Sequence, residues 1–366
     1  MKSGMIGYAD APMGQVRVGL IGLGNRGQAA YERYANIPGA VIAAVCDCDS
    51  DRVLPDMHLV RVYGGVDGWR ELCSDPTIDL VYICTDWLSH ADIACYAMEC
   101  GKHVAVEVPA ATSVEECRRL VHTAETYRRH CMMLENCIYD LFEASTFNMV
   151  RAGLFGEIYH AEGGYIHNLQ YLAEWREQFN KDRVGDNYPT HGFGPLCRLL
   201  DIHRADYLLD ITSFRTPTPD GGHIISVIRT KKGKSIILQH NISAARPYTR
   251  LYQFAGTKGF ASKYPSPAMA FLPDADTWLT ENEVASLIET YRPEYYEAVR
   301  ALMPEAADQR RYMDYAMDYR LIHCLQNGLP LDMDVYDAAE WSCISELSHI
   351  SIENGSIPVS FPNFFE

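Results

Sequence analysis

The apolar run Val16-Arg17-Val18-Gly19-Leu20-Ile21 passes without a break into Gly22-Leu23-Gly24-Asn25-Arg26-Gly27, and a helical stretch follows at once. A G-x-G-x-x-G on its own is weak evidence. Here it closes a strand and opens a helix, and Asp47 follows twenty residues after Gly27, at the end of the next apolar run Ala40 to Cys46. That context predicts a β-α-β unit whose glycines let the backbone turn tightly and approach a pyrophosphate resting on the helix N-terminus. A carboxylate at Asp47 hydrogen-bonds a ribose hydroxyl and repels a 2′-phosphate, which favours NAD over NADP. Arg26 keeps NADP open, because an arginine there can accommodate that phosphate.

The alternation continues. Ile78 to Cys84, His103 to Glu107 and Cys131 to Leu134 read as further strands, and Ser113-Val114-Glu115-Glu116 matches a capping box for a helix running to about Arg128. Repeated β-α units imply a doubly wound parallel sheet with right-handed crossovers, the Rossmann arrangement. Past residue 136 the pattern changes. Ile158 to His167, Ile211 to Phe214, His223 to Thr230 and Lys234 to Ser243 read as strands joined by turns, which predicts a largely antiparallel sheet. Tyr312 to Leu325 and Val335 to Ile352 read as helices. The expected class is therefore α/β, with a nucleotide domain over 1–136 and an α+β domain over 137–366.

Composition sets limits on partners. The 32 Lys and Arg stand against 48 Asp and Glu, a formal charge of −16 that argues against nucleic acid, whose binders need basic stripes. The dense cluster Lys231-Lys232-Gly233-Lys234 lies between alternating segments and reads as a hairpin turn. The twelve cysteines are scattered without metal spacing, so buried reduced thiols and no metal are expected. No run has the length of a membrane span, and Met1 to Gln15 lacks the apolar core of a signal peptide. The expectation is a cytoplasmic protein, or an exported one if a leader has been removed.

The order of the glycine loop, Cys84-Thr85-Asp86-Trp87, His103-Val104-Ala105-Val106-Glu107 and an antiparallel second domain resembles the Gfo/Idh/MocA oxidoreductases. Dehydrogenases of that group carry Glu-Lys-Pro where this chain has Glu107-Val108-Pro109, and their lysine assists proton transfer. A narrower resemblance is to glycoside hydrolase family 109. It rests on Glu107-Val108-Pro109-Ala110-Ala111, Cys131 to Asn136, Gly153 to Ile158, Tyr188-Pro189-Thr190-His191-Gly192, Ile228 to Lys234 and Gly256 to Phe260. The resemblance implies an N-acetylgalactosaminidase with a tightly held NAD that is not consumed. By position it implies that Asn25, Arg26, Asp47, Trp87, His90, Glu107, Val108 and Asn136 contact NAD, beside Gly22, Gly24 and Gly27. It also implies that Tyr165, Arg176, Tyr188, Pro189, Thr190, His191 and Tyr264 line the sugar site, with Tyr188 near the nicotinamide too. Relatives of this type often carry a twin-arginine leader, which this chain lacks, and their superfamily commonly forms dimers or tetramers.

The implied chemistry needs no carboxylate pair. Transient oxidation at sugar C3 acidifies the C2 proton, elimination expels the group on C1, water adds back, and C3 is reduced again. His191 is the candidate base for the C3 hydroxyl, since imidazole is the side chain best suited to general acid–base work near neutral pH. It could equally cap the helix beginning near Gly192. Tyr165 is the candidate for the C2 proton, and its phenol needs a nearby cation such as Arg176 to act there. Packing in a strand is its plainer reading. A net dehydrogenase on a sugar or cyclitol stands as the alternative, disfavoured by Val108. A sugar-binding protein without turnover is a third.

Overall fold

The computed structural model describes residues 4–169, 172–218, 221–274, 276–304 and 309–365. In chain order its first elements are β1 (Val16–Ile21), α1 (Asn25–Tyr34), β2 (Ala40–Asp47), β3 (Arg61–Gly64), α2 (Gly68–Ser74), β4 (Leu80–Ile83), α3 (Trp87–Glu99), β5 (His103–Val106), α4 (Val114–Tyr127) and β6 (Cys131–Met133). There follow α5 (Leu141–Arg151), β7 (Ile158–Ile166), α6 (Glu174–Asp182), α7 (Thr190–Leu200), β8 (Leu208–Thr218), β9 (Gly221–Thr230), β10 (Ser235–Asn241), β11 (Gln253–Gly256), β12 (Gly259–Ser262), β13 (Ala268–Phe271) and α8 (Glu281–Thr290). The chain ends in α9 (Tyr296–Leu302), α10 (Gln309–Asn327), α11 (Val335–Ser342), α12 (Ile344–Glu353) and β14 (Val359–Ser360). Among the described residues no helix is long and apolar enough to cross a membrane.

Two compact units divide these elements: Met1–Glu135 with Glu297–Cys343 and Phe364–Glu366, and Asn136–Tyr296 with Ile344–Asn363. The first crossing falls one residue from the boundary expected at 136. The stretch 297–343, assigned from sequence to the second domain, clusters with the first unit instead. The expected helix Val335 to Ile352 is two helices, α11 and α12, which meet at Cys343 where the chain changes unit.

The first unit is a six-stranded sheet in the order β3-β2-β1-β4-β5-β6, all pairs parallel. Strands β4, β5 and β6 are buried at every position, as a sheet covered on both faces requires. Ser113 caps α4 by accepting from Glu116 N–H, but the Glu116 carboxylate reaches Thr112 N–H at 2.7 Å, so the predicted box closes one residue early. Helix α10 is tied to α1 by charge: Arg33 Nε lies 2.8 Å from Asp318 Oδ2, and Tyr82 hydroxyl 3.3 Å from Oδ1, all three buried. Burial lifts Asp318 to about 6, against the pull of Arg33.

The second unit is an eight-stranded sheet in the order β13-β12-β11-β7-β10-β9-β8-β14. Only β10 and β7 run parallel, so the largely antiparallel sheet expected from sequence is present. The basic cluster is the turn between β9 and β10, with Gly233 at φ 84°. Helix α7 lies against β7 at backbone distance. A Cβ on Gly192 would overlap Gly164, and one on Gly163 would overlap the Gly192 carbonyl and Leu196. All twelve cysteines are free thiols, nine of them buried.

Candidate active site

In the first unit, Gly22 closes β1 at φ 92°, a conformation that side-chain-bearing residues avoid. A Cβ on Gly27 would overlap the Gly22 carbonyl, so the first turn of α1 presses directly on the loop. Gly24 sits at the N-cap with no side chain capping the helix, and a Cβ there would meet only Arg52. The first N–H groups of α1 are thus left facing an approach that no side chain blocks, which suits a phosphate. Asp47 holds the loop to β2. Its carboxylate accepts Leu23 N–H at 2.6 Å and Asp49 N–H at 2.9 Å, and its side chain is only 4% exposed. Two carboxylate oxygens have lone pairs to spare beyond these two bonds, so a ribose hydroxyl can still be accepted. These residues fit a dinucleotide.

Arg26 turns elsewhere. Its guanidinium lies 2.8 Å from Glu107 and 3.1 Å from Asp314, and those two carboxylates take up the charge that a 2′-phosphate would need. That pairing weighs against the NADP option left open by the sequence. Asn25 is exposed at the start of α1, while Trp87 opens α3 and is buried. His90 is buried, with Nδ1 2.8 Å from Pro109 O and Nε2 3.2 Å from Thr85 O, so its ring joins the β4–α3 turn to the turn after β5. Val108 is buried too, so an apolar side chain fills the place of the dehydrogenase lysine. Asn136 opens a 3₁₀ turn and belongs to the second unit. Replacing Gly27 with alanine forces the helix off the loop, an overpacking that costs about 1–3 kcal/mol. NAD retained after gel filtration is then expected to fall roughly tenfold or more, and unchanged NAD content would refute this reading of the cradle.

In the second unit, the close packing of α7 on β7 carries His191 to Tyr165. Their ring centroids are 5.7 Å apart, and Tyr188 stands edge-on to both at 4.9 Å. Tyr188 hydroxyl and His191 Nε2 are 3.2 Å apart. The Arg176 guanidinium lies over the Tyr188 ring at 4.5 Å. Burial pushes the Tyr165 phenol up, and Arg176, close enough to hydrogen-bond it, pulls partly the other way. Thr190 is fully buried and its hydroxyl has no protein partner. Four predicted residues therefore form one cluster, with Pro189 and Thr190 buried at the head of α7. Tyr264 joins only at one remove. It stands beside Arg250, which is also close to Tyr248, and Tyr248 packs edge-on to Tyr165 at 5.8 Å.

Sequence reasoning missed several neighbours. His167 stacks parallel to Tyr165 at 5.9 Å, and His240 does so at 6.3 Å. Only the parallel pairing of β10 with β7, which sets His240 opposite Tyr165, makes that visible. Arg250 was also missed. It is 4% exposed, 2.6 Å from Glu143 and 3.1 Å from Asp140, while Lys263 lies 2.6 Å from both carboxylates. The i, i+3 spacing of Asp140 and Glu143 at the head of α5 was the available signal, but their cations come from connecting segments far along the chain.

Comparison with known proteins agrees with both units. Residues 16–135 match the oxidoreductase family, NAD-binding Rossmann fold, and residues 139–222 and 218–366 match the glycosyl hydrolase 109 C-terminal domain. An alpha-N-acetylgalactosaminidase of Bacteroides fragilis is 45% identical over 98% of this chain and 94% of its own length. A glycosyl hydrolase family 109 protein of Porphyromonas gingivalis is 45% identical over 95% of this chain and 84% of its own. Among solved structures, levoglucosan dehydrogenase in complex with NADH superposes with a TM-score of 0.77 at 20% identity, covering 95% of this chain and all of that one. That likeness concerns the fold alone. On these grounds the chain belongs to glycosyl hydrolase family 109, and its N-terminal unit is an NAD-binding Rossmann fold.

Proposed function

We propose that this protein hydrolyses N-acetylgalactosaminides by an NAD-dependent route in which the cofactor is regenerated at each turnover. The observation that carries the proposal is the gathering of Tyr165, Arg176, Tyr188 and His191 at one point of a chain 45% identical to an alpha-N-acetylgalactosaminidase. The buried Val108 supports it over a net dehydrogenase.

Bound NAD supplies reversible hydride acceptance at a sugar carbon. The glycine loop, the N-terminus of α1 and Asp47 are the groups that would hold it. The remaining work falls to side chains. His191 takes the proton of the C3 hydroxyl, its ring held by the Tyr188 hydroxyl. Tyr165 takes the proton at C2, with Arg176 stabilising the phenolate it needs. Arg176 and Tyr188 also orient sugar hydroxyls. Removal of the C2 proton from an activated sugar expels the group at C1, and water replaces it.

The test is to incubate holoenzyme with aryl N-acetylgalactosaminides in heavy water and follow aglycone, C2 deuterium and NADH absorbance together. Aglycone release with deuterium at C2 and no net NADH is the expected result. Steady NADH growth without aglycone would overturn the proposal in favour of a dehydrogenase.

A further inference from the structure

Under the aromatic cluster lies a carboxyl that the chemistry above does not use. Asp186 is 1% exposed, in the turn between α6 and α7. The turn is pinned: Asp186 N–H donates to Ser348 Oγ at 2.8 Å, and a Cβ on Gly185 would overlap α12. Asp186 Oδ1 accepts Tyr188 N–H at 3.1 Å. Among the described residues no lysine or arginine pairs with it. Burial without a cation pushes this carboxyl up to about 7, opposed only by the Tyr188 N–H.

What faces it is a buried ring nitrogen. His240 Nε2 lies 4.0 Å from the same Oδ1 and has no hydrogen-bond partner. Burial, with Arg176 and His223 adding to it, drives this imidazole down to about 3, so it is neutral and the two do not form an ion pair. A neutral carboxyl donates to Nε2 when the ring carries its proton on Nδ1, whereas an ionised carboxyl accepts only when that proton sits on Nε2. A side-chain rotation that closes about 1 Å brings them to hydrogen-bond distance. The ring that would receive this bond stacks on Tyr165, and the rotated carboxyl would keep one oxygen on Tyr188 N–H while the other carries the proton toward Nε2.

We propose that Asp186 is a positioning residue of this site: as the neutral acid it donates its O–H to His240 Nε2 while accepting from Tyr188 N–H, and so fixes Tyr165 against Tyr188. No proton leaves the pair in this role. The inference rests on the glycosidase reading for its effect on turnover, but not for the bond itself. The titratable and charged groups nearest the pair include His240 on β10, His223 on β9, Tyr165 on β7, Arg176 on α6, His349 on α12 and Arg183 in the turn.

The sign follows from which form makes the bond. Protonated Asp186 donates it, whereas ionised Asp186 can only accept and would need His240 in its other tautomer, so in this arrangement wild-type kcat falls as pH rises through about 7. In Asp186→Asn the amide N–H donates to Nε2 and its oxygen accepts from Tyr188 at every pH. That variant should keep turnover close to wild type on the acid side and lose the alkaline fall. Asp186→Ala should lower kcat about tenfold on the acid side, the worth of one hydrogen bond, with KM little changed. Asp186→Asn that retains the alkaline fall, or that fails like the alanine variant, would overturn the proposal.

A second readout needs no substrate. Infrared difference spectra of the holoenzyme, taken about one pH unit either side of the titration, should contain a carboxylic-acid band in wild type that is missing in Asp186→Asn. Asp318, also raised by burial, contributes its own band to both proteins, so identical carboxylic-acid bands in wild type and variant refute the neutral acid at Asp186. If wild type releases no aglycone at any pH, the glycosidase reading fails, and the band still decides whether Asp186 is held as the neutral acid.

Discussion

Replacing His191 with alanine is expected to lower kcat for aglycone release by a factor on the order of 10²–10⁴, the usual worth of a positioned general base. The loss should fall on kcat more than on KM, because the proposed role is at the C3 proton and Arg176 and Tyr188 still hold the sugar. NAD content should be unchanged, since the glycine loop and Asp47 belong to the other unit. The plainer role, capping α7, predicts something different. Thr190 already opens that helix, so a capping histidine would cost stability and leave kcat of the folded fraction intact. Turnover at wild-type rate in a folded, NAD-loaded His191→Ala would remove His191 from the mechanism.

The largest expected effect on stability is at Arg250. Two cations and two carboxylates balance there, away from water. Arg250→Met leaves Asp140 and Glu143 with Lys263 alone, and stranding a buried charge costs about 3–5 kcal/mol. The measurement is the denaturant midpoint of the NAD-loaded protein, with an unchanged slope. The deficit should shrink in acid. Glu143, held up by burial and by Asp140, rises further when a cation is lost. A carboxyl with a raised folded pKa binds more protons native than unfolded, so stability is recovered as pH falls through that value. Arg250→Met with Glu143→Gln should recover most of the loss by removing the stranded charge along with its partner. A double variant no more stable than the single one would show that lost packing, and not charge, was the cause.

Much of the first unit was legible because its determinants are local. A strand, three glycines and an aspartate within 32 residues fix one β-α-β unit, and the remaining apolar runs repeat it. Edge strand β3, half-exposed and without an apolar run, left no such signal. The second unit was legible as a class but not in register. Its strand β8 runs from Leu208 to Thr218, well beyond the apolar core Ile211 to Phe214, because antiparallel pairing with β9 extends it through polar residues. The site followed the same rule. Tyr188 to His191 could be read from one motif, whereas Asp186 with His240, or Arg250 with Glu143, are neighbours only after segments far apart in sequence are folded together. Cys343 marks the other failure. A continuous helical period spans it, yet the chain changes unit there, and periodicity carries no information about which core a helix face meets.

The interrupted first unit bears on how the chain is made. When residues up to 135 have left the ribosome, all six parallel strands are present, but Arg33 still lacks Asp318 and Arg26 still lacks Asp314. Those carboxylates lie on α10 and are synthesised only after the whole second sheet except β14. The unit that emerges first is therefore completed near the end of translation. Arg33 therefore waits without its carboxylate partner through most of synthesis, and a chain stalled before α10 is expected to expose surface that the finished unit buries.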